Sequence, residues 1–90
     1  PHQYADALRA QGYGAEVGLH AELSDTSLML AVDPSLVRQD ALRTAPKPGA
    51  ADGVYGGDPR RASAGLGRIG TEMQIRTAVA AIQSFQRSHP

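Results

Sequence analysis

Apolar residues fall in short groups whose spacing changes from one segment to the next. Tyr4, Ala7, Leu8 and Ala10 recur at helical spacing, and Gly12 follows where a left-handed cap belongs, which predicts an amphipathic helix over 3–11. Tyr13 to Leu19 holds two glycines and one β-branched residue, the pattern of a short strand or a loop. Ser24, Asp25, Thr26 and Ser27 then offer side-chain oxygens to cap the run Leu28 to Val32, and Asp33-Pro34 stops it. A buried helix over about 25–32 is predicted, with a short helical turn starting at Pro34.

From Arg38 the periodicity disappears, and Pro46, Pro48, Gly49 and Gly53 accumulate, so 38–53 is read as a loop. Val54-Tyr55 is a candidate short strand. Asp58 is placed as an N-cap with Pro59 as first helical residue. Apolar positions 69, 73, 75, 79, 82 and 85 predict a long helix with one buried stripe. Thr71 with Gln74 matches a capping box, which would start that helix near Thr71 and leave a Gly-rich hinge before it.

Composition limits what these elements can build. Of the 41% of residues that are apolar, fifteen are Ala, and ten Gly and six Pro interrupt the rest. A chain of 90 residues buries only roughly 60–65% of the surface it exposes when unfolded. The counts therefore favour a piece that completes its core against another segment or chain. With no cysteine, disulfides and thiolate metal sites are excluded. Nine basic and nine acidic residues cancel, which removes the electrostatic footprint of a nucleic-acid or anionic-lipid binder. The longest apolar run is far short of the roughly twenty residues that cross a bilayer. Pro1 to Tyr4 shows no export signal and no initiator Met, so the expected place is cytoplasmic and the expected chain is one part of a larger unit.

Two motifs fail on context. Gly65-Leu66-Gly67-Arg68-Ile69-Gly70 reads as a dinucleotide-binding turn, but the segment before it is polar and helix-like, and no acidic residue follows about twenty positions later. Its glycines are expected to form a hinge or to permit close helix packing. His20-Ala21-Glu22 has the form found in zinc deaminases, whose chemistry needs a cysteine pair that this chain lacks. A metal site from this chain alone would combine His20 with Glu16, Glu22 or Asp25 at no recommending spacing, so no metal ligand is assigned.

The block His20-Ala21-Glu22-Leu23-Ser24-Asp25-Thr26-Ser27-Leu28-Met29-Leu30, followed by Pro34-Ser35-Leu36-Val37, resembles the His-Ala/Gly-Gly-x-x-Glu/Asp-Thr-Ser-Leu-Met-Leu block of the creatininase superfamily of metal-dependent amidohydrolases. Gly57-Asp58-Pro59 and the helix after it resemble that family's C-terminal segment. The resemblance implies an α/β fold, with residues 1–90 as the mostly helical C-terminal part of a single three-layer α/β/α domain. It implies hydrolysis of a non-peptide or cyclic amide C–N bond in a small molecule. A divalent metal pair, zinc or manganese, would be bound mainly outside this chain, by the N-terminal remainder of the domain or a companion chain, in a homo-oligomer that is hexameric by resemblance.

Within that frame the resemblance makes His20 and Asp25 the catalytic candidates. His20 would carry a proton to or from the scissile bond, while Asp25 would orient the imidazole or cap the following helix. Glu22 replaces the Gly of the family pattern and is assigned a substrate contact. Without its flanking block, His20 reads as an ordinary histidine at a helix N-terminus. The competing function is a non-catalytic module whose apolar faces, Leu28 to Val32 and Ile69 to Phe85, dock on a partner.

Overall fold

The computed structural model describes residues 2–89 as a mostly helical chain of 55 × 25 × 23 Å. Helix α1, Gln3–Leu8, runs into a wider turn over Arg9–Tyr13 that is kinked where Gly12 takes a left-handed φ of 95°. Helix α2 spans Leu23–Val32, and a short 3-10 turn follows at Pro34–Leu36, with the Asp33 carboxylate accepting from the Ser35 amide at 3.0 Å. Both features follow the sequence pattern, because a Pro cannot continue α2 while an Asp before it can cap a new turn.

The predicted loop 38–53 is only partly a loop. Helix α3, Gln39–Thr44, forms within it, and Ala50–Asp52 makes one 3-10 turn. Asp40, Ala41, Leu42 and Arg43 are compatible with a helix, an exposed Arg43–Asp40 pair links two of its turns, and Pro46 ends the segment. Such a helix is too short to show periodicity. The expected strands shrink to one antiparallel bridge between His20 and Tyr55 among the described residues. Glycines at 14, 18, 56 and 57 flank that pair and leave little chain to extend it.

Helix α4 spans Ala64–Ser88 without the expected hinge. Ser63, not Asp58 or Thr71, is its N-cap, accepting from the Leu66 amide at 3.1 Å. The Asp58 carboxylate accepts instead from the amide and guanidinium of Arg60, in a turn that precedes the helix. The Thr71 hydroxyl donates to the Arg68 carbonyl inside the helix. Two glycines of the nucleotide-like motif, Gly67 and Gly70, bring α4 against α2 and Tyr4. A Cβ at Gly67 would overlap the Ser27 carbonyl, and one at Gly70 would press on Leu28 and the Tyr4 ring. Close packing, the plainer reading of those glycines, is what they provide.

Around this crossing, Leu8, Val17, Leu23 and Leu66 form the core, with Tyr4, Tyr13 and Ile69 packed against it. Buried Ser27 accepts from the Ser63 amide at 3.2 Å, and Tyr4 donates to the Leu66 carbonyl at 2.9 Å. Burial, aided by the nearby charges of Glu22 and Asp25, pushes the Tyr4 phenol up to about 12. The stripe expected to be buried is not: Ile75, Val79, Ile82 and Phe85 are each 45% or more exposed.

The two kinds of glycine in α4 can be separated by mutation. Gly67→Ala should destabilise the chain by about 2 kcal/mol or more, because the methyl group meets backbone rather than a yielding side chain. Gly65→Ala meets only ordinary contacts and should leave stability unchanged or raise it by about 0.5–1 kcal/mol. Urea unfolding followed by circular dichroism reads both.

Candidate functional site

The segment between Val17 and Leu23 carries His20, and two backbone contacts shape it. Gly18 lies so close to Gly56 and Gly57 that a Cβ on it would overlap the Gly56 carbonyl. Gly57 in turn touches the Glu16 carbonyl and the Glu22 side chain. Only residues without a Cβ let the chain pass itself at this distance. The Leu19 and His20 amides then both donate to the Tyr55 carbonyl, at 2.9 and 3.2 Å, and Tyr55 returns its amide to His20 at 3.0 Å.

Beyond His20 the chain turns sharply. Ala21 has a φ of +54°, the one non-glycine residue in the left-handed region among those described, at a cost of about 1–2 kcal/mol. That turn is held from α2, where the Asp25 carboxylate accepts the Ala21 amide at 2.8 Å. Asp25 therefore acts on the main chain next to His20. The expected orientation of the imidazole by Asp25 is replaced by this backbone contact, and the expected cap role belongs to another residue.

That residue is Glu22, the N-cap of α2. It is 1% exposed, and its oxygens accept from the Gly18 amide at 2.9 Å, the Ser24 and Asp25 amides at 3.2 Å, and the Ser24 hydroxyl. Burial pushes this carboxyl up, but the hydrogen bonds from Ser24, Gly18 and Asp25 outweigh it and hold it below its usual range. The substrate contact expected of Glu22 is corrected on this geometry, since its acceptors are taken and it does not line the cleft that His20 lines.

His20 itself is exposed, with its ring centre 6.0 Å from that of Tyr55 at a tilt of 40°. It lines a cleft of about 720 Å³ together with Asp25, Met29, Arg38, Leu42 and Asp52. His20 and Asp25 are thus brought to one cavity, while Glu22 stands behind its wall. Tyr55, Arg38 and Asp52 were not singled out from the sequence. The glycine pair after Tyr55 is the one signal that marks a close backbone approach there.

The residues do not fit a metal centre of their own. Among the described residues no group of three or more His, Asp or Glu side chains is gathered to hold an ion, and Asp25 and Asp52 each accept a main-chain amide. No helix among the described residues is long and apolar enough to cross a membrane.

The structure is a mostly helical unit in which His20, on the loop between Val17 and Leu23, lines a cleft of about 720 Å³. The family model Creatininase, described as creatinine amidohydrolase, matches residues 2–82, and the chain belongs to that family. No curated protein and no solved structure matches the chain at a significant level.

Acid should loosen the His20 segment. With its folded pKa below the ordinary 4.5, Glu22 stabilises the fold fully above about pH 4.5, and this contribution is lost as pH falls through the lower folded value. Asp58, held low chiefly by its hydrogen bond to Arg60, shifts stability in the same sense. Glu22→Ala should cost about 2 kcal/mol at pH 7 by orphaning buried amides. Glu22→Gln should flatten the acid limb of a plot of unfolding free energy against pH.

Proposed function

We propose that this chain is the C-terminal portion of a creatininase-family amidohydrolase, in which His20 carries the proton during cleavage of a non-peptide or cyclic amide C–N bond. The observation that carries the reading is the placement of His20, an exposed residue whose main chain is pinned to Tyr55 and whose side chain lines a cleft large enough for a small amide. In hydrolysis, water adds to the amide carbon, the C–N bond breaks, and the departing nitrogen takes up a proton. His20 would take the proton released by that water and give it to the departing nitrogen, so the imidazole ends each cycle as it began. Asp25 and Glu22 serve as positioning residues in this reading, the first holding Ala21 and the second holding the turn from Gly18 to Asp25.

The divalent metal pair implied by the resemblance takes its ligands mainly from a companion part of the protein in this reading, and the family's oligomeric habit would bring that part alongside. The exposed stripe on α4 favours a second reading, a non-catalytic module that docks on a partner. In the assembled protein, His20→Ala should abolish amide hydrolysis while bound metal and folded content stay unchanged. Hydrolysis retained in that variant removes His20 from the mechanism and leaves the docking module as the better account.

A further inference from the structure

Among the described residues, Arg38 is the one charged side chain of the cleft beside His20 with neither an ion pair nor a side-chain hydrogen bond. The ion pairs among the described residues join Arg9 to Asp6, Arg43 to Asp40, Arg60 to Asp58 and Arg61 to Glu16. Arg38, exposed and lining the cleft, makes none of these pairs, and its side chain plays no part in capping α3. Each of the two carboxylates in the same wall has one oxygen engaged by a main-chain amide. Asp25 accepts the Ala21 amide in the first turn of α2, where a helix end offsets negative charge, and Asp52 accepts the Gly49 amide at 3.1 Å. Met29, Leu36, Leu42 and Pro48 supply an apolar surface between these groups.

We infer that the cleft selects an amide that also bears a carboxylate, with the guanidinium of Arg38 holding the carboxylate and the apolar wall covering the body of the molecule. A guanidinium suits this task because its planar donors match the two oxygens of a carboxylate. The substrate class is therefore an acylated amino acid or a similar small amido acid. Its amide function rests on the hydrolase reading of His20, whereas the carboxylate contact rests on the cleft alone.

Binding measured without turnover tests the contact. The full chain is titrated with N-acetyl-L-leucine, its methyl ester, and L-leucinamide as an oppositely charged probe, each followed by amide chemical shifts of the cleft residues. N-acetyl-L-leucine should bind about threefold or more tightly than the ester, within the range of an exposed ion pair, and the difference should shrink in high salt. Arg38→Gln, with its helix content checked by circular dichroism, should bind acid and ester alike. Equal binding of acid and ester by the unaltered chain, stronger binding of L-leucinamide, or no binding of any probe overturns the assignment. Hydrolysis is scored separately: acid-selective binding without cleavage by the assembled protein would count against the role of His20 and still uphold Arg38.

Discussion

The carboxylate of Glu22 lies at the point where the three parts of the site meet. It begins α2, ties that helix to Gly18, and stands directly against Gly57, so the loop bearing His20, the helix behind it and the Tyr55 segment share one buried anchor. A buried charge is costly unless its acceptors are filled, and here four donors fill them. The same bonds fix the backbone on both sides of His20. The main-chain position of His20 is thus set by a polar network behind it.

The hydrophobic contribution is concentrated elsewhere. Leu8, Val17, Leu23 and Leu66 meet where α1 and α4 cross α2, and the glycines of α4 set how closely that crossing can close. Deleting one such side chain typically costs about 2–5 kcal/mol, a large share of what so small a core supplies. Past Gly70, α4 leaves this core and carries Ile75, Val79, Ile82 and Phe85 outward. A 25-residue helix spans about 37 Å, longer than the core it starts from, so the last turns gain nothing from it.

Local signals were legible in the sequence to the extent that they were local. Gly12 kinked the turn that follows the first helix, Asp33-Pro34 ended the second, and the spacing from Ile69 to Phe85 marked a long helix. What escaped depended on partners distant in the chain. The hinge suggested by Gly65, Gly67 and Gly70 became a contact surface because Ser27, Leu28 and Tyr4 occupy the space beside two of them. Ser63 rather than Thr71 capped α4, since both offer a hydroxyl and only the backbone path decides which one faces free amides. For the site, His20 and Asp25 were named from the motif, yet the inward turn of Glu22 and the clamp on Ala21 required knowing where Gly18 and Gly57 meet.

Glu22, which stands where the resembled block has Gly, has a backbone that accepts a side chain without strain. The pattern has Gly at that position, but the backbone there is extended, with φ of −96°, and a side chain imposes no strain on it. The left-handed turn falls one residue earlier, at Ala21, where a small side chain and the Asp25 contact hold it. Room for the new carboxylate comes from Gly57, on which even a methyl group would crowd the Glu22 Cβ at 2.7 Å. The Glu22 side chain therefore fills space behind the His20 loop and leaves the cleft in front of it open, so a residue assigned in the sequence to a substrate contact acts in the fold as the fastening of the site.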